Sequence, residues 1–332
     1  MKEPGNNFIL CGFLAITVLL VGSLAILLLW GCPLPAPTAL YTGTNLSFSP
    51  VLTSPAPGES GDSATAGNGA VSVTRTFPYV LNGETGTISI NLPQGVYDEL
   101  SADAPTVMCS PDNSTVPCTS ETFTRFYRNM SSAPAQQAYL DTLVREIENK
   151  TPAKDDQARI AISIVQHIPY GYNVSAGTGG GAMRYPYMVL YDDNGMCDEK
   201  SVLLASLLRG LGYGTALLDF SSDNHMVLGI KSPAAYAYNG TGYAFVETTI
   251  PLIVTDDQEL YNNGTKLSSV SDIYPISDGA SFDAVSDEYN DSREFIRLTK
   301  SGRYTGSGLR ASDDPALQPL VQKYGLNLNQ AA

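Results

Sequence analysis

Five cysteines and two histidines are the only thiols and imidazoles in this 332-residue chain, so any chemistry that needs either rests on few atoms. With only His167 and His225, the His-rich ligand sets of catalytic zinc sites are ruled out. Cys11 and Cys32 fall in or beside an apolar amino-terminal run. Cys109 and Cys118 flank a short loop of turn formers, Ser110 to Pro117. In an oxidising compartment that pair is most simply a disulfide, adding on the order of 2–3 kcal/mol for so short a loop. His167 lies near the end of a helical pattern, where a positive tip suits the helix dipole and a structural role follows. One thiol and one imidazole are left over, Cys197 and His225, and a thiol beside an imidazole is the pairing of nucleophilic thiol catalysis.

The segments around these two residues place them at element ends. Gly195-Met196-Cys197 opens a helix whose apolar positions Val202, Leu203, Leu204, Leu207, Leu208 and Leu211 form a broad buried face, and Gly210 with Gly212 marks its end. Free backbone N–H groups at a helix amino terminus favour the thiolate of Cys197. Asp198 and Glu199 in the same turn oppose it, so an imidazolium is needed to activate the thiol. Thr215 to Phe220 reads as a strand, Ser221 to Asn224 as a turn, His225 to Ile230 as a second strand and Tyr243 to Thr248 as a third. If the last two form an antiparallel hairpin centred near residue 236, His225 pairs with Glu247. Glu247 sits in an otherwise apolar strand, where an unpartnered charge costs several kcal/mol. Taken singly, the three have plain readings: a buried small hydrophobe, a hydrogen-bonded core histidine and a strand-end surface acid. Taken together they are a nucleophile, a base and an acid to hold the base.

The segments Gly195 to Tyr213, Asn224-His225-Met226 and Tyr243 to Thr249, in that order, resemble the transglutaminase-like superfamily of papain-type thiol enzymes. Val165 to Tyr170 and Arg184-Tyr185-Pro186 fit its prokaryotic membrane-anchored members, and the likeness covers about Asp155 to Pro251. The resemblance implies an α+β domain, with a catalytic helix packed on an antiparallel sheet. It makes Cys197 the nucleophile, His225 the base and Glu247 the orienting acid. The implied activity is attack on a peptide or glutamine-type amide through a thioester, ending in hydrolysis or acyl transfer, with a protein or peptide as substrate. Two features depart from the pattern. The acid is Glu in Glu247-Thr248-Thr249 rather than Asp in an Asp-Pro-Thr setting, and the only tryptophan is Trp30, so the Trp that animal transglutaminases place near the oxyanion is missing. The Cys197 N–H can serve an oxyanion; the sequence names no second donor. The alternative is a non-catalytic surface module that keeps the fold to bind a cell-surface polymer.

No cofactor and no metal are called for. Asp192-Asp193-Asn194 and Asp256-Asp257 offer oxygen ligands but no twelve-residue calcium loop, so they read as solvated acid patches. Charged residues are 16% of the chain, with 19 Lys and Arg against 33 Asp and Glu, and the net charge of -14 argues against nucleic acid as a partner.

Residues 1–7 read as a cytoplasmic tip and 8–30 as a transmembrane helix, because Phe8 to Trp30 carries no charged side chain over 23 positions, about 34 Å of helix. Lys2 precedes this span and the next basic residue is Arg75, so a single-pass orientation with the carboxy-terminal part extracellular is expected. Leu29-Trp30-Gly31-Cys32 also resembles a lipoprotein cleavage box, which leaves lipidation of Cys32 open. Residues 31–70 read as a flexible stalk rich in Pro, Ser, Gly and Thr. Residues 71–133 form a small β-containing element around the Asn82-Gly83 turn, and 134–251 the transglutaminase-like domain. Within it, helices follow from Leu140, Leu143, Val144 and Ile147 and from Ile160, Ile164 and Ile168, and Ala176 to Ala182 reads as a mobile Gly-rich loop. Residues 252–332 are a carboxy-terminal extension with helices over Ser286 to Lys300 and from Asp314-Pro315 towards Gly325. Eight Asn-X-Ser/Thr sites, at Asn45, Asn113, Asn129, Asn149, Asn173, Asn239, Asn263 and Asn290, suggest a glycosylated exterior or a Ser/Thr/Asn-rich surface that collects them by chance.

Overall fold

The computed structural model describes residues 71–103, 105, 107, 109–110, 116–171, 183–258, 267, 270, 272–300 and 314–327. The expected transmembrane helix, the stalk, Cys32, the Gly-rich loop and the sites at Asn45, Asn113, Asn173 and Asn263 lie outside them. No helix among the described residues is long and apolar enough to cross a membrane.

The fold is α+β with antiparallel sheets. Strands β1 (Ser72–Leu81) and β2 (Glu84–Pro93) form a hairpin through Asn82 and Gly83. Both turn residues have positive φ, 52° and 86°, the geometry that two-residue hairpins demand and that Asn-Gly tolerates. Strict alternation then places Phe77, Ile88, Ile90 and Leu92 on one face, each buried in the main core. Two helices absent from the sequence reading follow: α1 (Gln94–Ala102) and α2 (Ser120–Ser131), the latter capped by Thr119 Oγ1, which accepts from the Thr122 N–H at 3.2 Å. Cys109 and Cys118, between them, are joined as a disulfide.

Helices α3 (Pro134–Glu148) and α4 (Lys154–His167) occupy the positions expected from their apolar stripes. A short α5 (Pro186–Asp192) leads into α6 (Cys197–Gly210), the central helix, whose Val202, Leu203, Leu204, Leu207 and Leu208 are wholly buried. Each such side chain contributes roughly 1.5–3 kcal/mol by leaving water, which anchors the helix firmly enough for its first residue to be held in place. It packs against a four-stranded antiparallel sheet of order β5-β4-β3-β6, made by β3 (Thr215–Phe220), β4 (His225–Lys231), β5 (Tyr243–Val246) and β6 (Asp272–Ser277).

Strand β6 comes from the carboxy-terminal extension and pairs with β3, so that extension supplies an edge of the sheet. Pro275 inside it fits an edge strand, since proline has no N–H for a second neighbour. Helices α7 (Ser286–Lys300) and α8 (Gln318–Tyr324) close the described chain; Gly325, at φ 64°, ends α8. Phe295, Leu298, Leu317 and Leu320 build a second small core with Ile253.

Candidate active site

The first residue of α6 is Cys197, 8% exposed. Its N–H, like all N–H groups of a first helical turn, has no intrahelical acceptor and points along the positive end of the helix. The turn is stapled from within: Glu199 reaches back so that its Oε2 accepts the Met196 N–H at 3.0 Å. Arg184 grips the same carboxylate with two donors, Nε to Oε1 at 3.1 Å and Nη2 to Oε2 at 2.8 Å, and its backbone N–H adds a third at 2.9 Å. Glu199 is therefore an ion-paired carboxylate rather than the free opposing charge that the sequence suggested. Asp198 remains, with its carboxyl raised by burial and by Glu199 to about 6.

His225 is the first residue of β4, set by the turn residue Asn224 at φ 51°. Its Nε2 lies 2.9 Å from Glu247 Oε2, and the ring is also hydrogen-bonded to the Cys197 side chain. The three expected site residues thus stand in one line, Cys197 to His225 to Glu247.

The register that brings them together differs from the expected one. β5 ends at Val246 rather than Thr248, and the pairs are Leu228 with Val246 and Gly229 with Phe245. Continued outward, this sets His225 opposite Thr249, two residues from the expected partner. The connection is not a hairpin centred on residue 236 but two short 3-10 turns, Ala234–Tyr236 and Tyr238–Gly240, which offset the strands. A two-residue slip preserves the face on which each side chain sits, so His225 and Glu247 meet as diagonal neighbours.

The Glu247 side chain is fully buried, and each oxygen is occupied. While Oε2 faces His225, Oε1 accepts from the backbone N–H groups of Thr248 at 2.9 Å and Thr249 at 2.8 Å, and from the Thr249 hydroxyl at 2.6 Å. These donors stabilise the ionised acid where burial alone would not. Burial also works against a charged imidazole at His225, but the Glu247 carboxylate and the bond to Cys197 outweigh it and raise His225 to about 10. At neutral pH the ring is an imidazolium, the counter-ion a thiolate needs.

Three supporting residues escaped the sequence reading. The Gln166 side chain donates from Nε2 to the carbonyls of Glu247 and Leu252, 2.9 Å each. Thr249 holds Glu247 as described. Lys200, fully buried on α6 one turn after Cys197, donates from Nζ to the carbonyls of Ile168 and Thr249. Its burial depresses the ammonium to about 7, with Glu247 opposing. A lysine amid an apolar helix face was the available signal.

The remaining polar motifs are structural. His167 Nδ1 donates to the Ser163 carbonyl at 2.7 Å. Arg184 Nη1 donates to Asp192 Oδ2 at 2.8 Å and Asn194 Oδ1 at 3.1 Å, so that acid patch serves a guanidinium. Among the described residues no group of three or more His, Cys, Asp or Glu side chains could hold a metal ion.

No family model, curated protein or solved structure matches the chain.

Proposed function

We propose that this chain is a transglutaminase-like thiol enzyme that acts on peptide or glutamine-type amides through a thioester. The observation that carries the reading is the grouping of Cys197, His225 and Glu247, in which a helix-start thiol, an imidazole and a buried carboxylate lie together, with the imidazole Nε2 2.9 Å from the carboxylate. The Cys197 thiolate attacks the amide carbonyl carbon, and the tetrahedral oxyanion is met by the Cys197 N–H. His225 gives its proton to the departing amine, which leaves as the thioester forms. Glu247 keeps the ring's orientation and its tautomer throughout. The now neutral His225 takes a proton from the acceptor as it attacks the thioester: water gives the acid, an amine gives a new amide, and Cys197 is regenerated either way.

The apolar segment 8–30 is proposed as a membrane anchor that holds the domain outside the cell, where protein or peptide substrates, or a cell-surface polymer, are met. The reading is tested by incubating the chain, and its Cys197→Ala variant, with casein and a dansyl amine. Amine incorporation indicates acyl transfer, and new glutamate side chains or new peptide termini formed without incorporated amine indicate hydrolysis. Equal results from both proteins would leave a binding module.

A further inference from the structure

Lys200 is wholly buried on α6, one turn after Cys197. Its Nζ donates to two backbone carbonyls, that of Ile168 and, at 3.2 Å, that of Thr249, and among the described residues no carboxylate is bonded to it. An ammonium taken out of water without a bonded counter-ion is costly, and a methionine of similar length would fill the same space without that cost. Packing alone therefore leaves the charge unexplained.

The two carbonyls show what the ammonium holds. Ile168 leads into the segment that brackets Gly195: the Pro169 carbonyl accepts the Gly195 N–H, and the Gly195 carbonyl accepts the Gly171 N–H, both at 3.1 Å. Thr249 gives Glu247 Oε1 its N–H and its hydroxyl. One side chain therefore ties the approach to Cys197 to the residue that holds the acid. Glu247 is also the charged group that supports the Lys200 ammonium against burial. On the same helix, Glu199 is ion-paired with Arg184 and Asp198 accepts the Glu199 N–H. The Glu247 carboxylate thus acts on two cations, His225 and Lys200.

We infer that Lys200 is a positioning residue that couples its own charge state to the hold of Glu247 on His225. The inference rests on the thiol-enzyme reading and adds its regulation. A charged Lys200 draws on the Glu247 carboxylate and pins Thr249 with charge-assisted donors; a neutral one leaves the carboxylate to His225 alone. The His225–Glu247 bond is therefore looser with Lys200 charged, and the imidazolium then parts more readily with the proton that the leaving amine needs. Lys200 touches no reacting atom and acts through Thr249 and Glu247.

The test is proton NMR of the His225 ring N–H bonded to Glu247, followed with pH on the full chain, where His167 is the only other imidazole. Burial brings the Lys200 ammonium to about 7, whereas His225 itself titrates near 10. The signal should therefore move downfield, as the bond tightens, when pH rises through about 7. In Lys200→Met it should stay at the downfield position across that range, which a side chain that merely fills space would not cause. Asp198, with its carboxyl near 6, and His167 are the neighbouring titrations to separate, so Asp198→Asn and His167→Gln should both keep the movement. No movement near pH 7, movement that persists in Lys200→Met, or movement abolished by either control would each overturn the proposal. The unaltered chain and the two controls decide it even if Lys200→Met does not fold. Iodoacetamide alkylation of Cys197 in His225→Ala tests the thiol-enzyme reading by itself: an unchanged rate removes that reading, while a slowed rate with no His225 movement near pH 7 removes the role of Lys200 alone.

Discussion

Glu247 binds His225 through one carboxylate oxygen, Oε2 at 2.9 Å from Nε2, while its other oxygen takes three donors from the two threonines that follow it. The acid is thus oriented by its own sequence neighbours and the imidazole by the acid. Glu247→Gln removes the negative charge that holds the His225 proton. Alkylation of Cys197 by iodoacetamide at neutral pH should slow by about tenfold or more, and amide turnover should fall by at least about a hundredfold. An unchanged alkylation rate, in this variant or in His225→Ala, would remove the activated thiol.

The raised His225 proton affinity also sets a pH window. A group whose folded pKa lies above its unfolded value of about 6.5 contributes stability that is fully present below that value and lost as pH rises through the folded one. For His225 this loss runs through about 10. The stability difference between the native chain and Glu247→Gln, followed by urea unfolding, should therefore narrow from neutrality towards pH 10. Acylation should decline over the same range, as the imidazolium proton needed by the leaving amine is lost.

Thr249 is a positioning residue, since it touches Glu247 rather than the reacting atoms. Thr249→Val keeps the backbone donor and removes the 2.6 Å hydroxyl bond. It should cost about 1–3 kcal/mol of stability, since one donor to a buried charge is lost. It should also move the alkaline limb of the alkylation profile. Thr249→Ser restores the hydroxyl and should restore both, which a purely steric role for the threonine would not predict.

Arg184 and Glu199 form a buried ion pair, with side chains 7% and 6% exposed. Removing one partner of such a pair leaves an uncompensated charge, so Arg184→Met should lower stability by about 3–5 kcal/mol. Adding Glu199→Gln should recover part of the loss. Full additivity of the two substitutions in urea unfolding would mean that the pair is not coupled.

Lys200 has the opposite sign to His225. Its folded pKa of about 7 lies below the ordinary lysine value, so keeping its charge in the fold costs stability. That cost is greatest below pH 7 and fades as the unfolded lysine also loses its proton near 10.4. Lys200→Met should therefore show its most favourable stability, relative to the native chain, at mildly acidic pH, with the advantage shrinking as pH rises. A pH-independent difference would mean that Lys200 is not titrating in the fold.

Much of this arrangement was legible in the sequence because the signals are local. The Asn82-Gly83 turn, the stripes of α3 and α4, and the Gly195 and Gly210 punctuation around α6 each depend on residues within a few positions of one another. The same holds for the starts of α6 and β4, and so for Cys197 and His225 as element-first residues. Strand β6 was hidden because Pro275 interrupts its β pattern, and its partner β3 lies some sixty residues earlier.

What the tertiary structure alone decided is which distant polar groups share a buried space. Composition and order single out Cys197, His225 and Glu247, but the pairing that joins the last two depends on how two 3-10 turns offset a hairpin. Period two protects the face of each side chain and leaves the register free to slip by two, so the sequence singled out the three residues and the fold set the diagonal contact of His225 with Glu247. Likewise Gln166, Arg184 and Lys200 are ordinary polar residues by type. Each acquires its role only because folding removes it from water beside particular carbonyls or carboxylates, and burial makes such pairing obligatory.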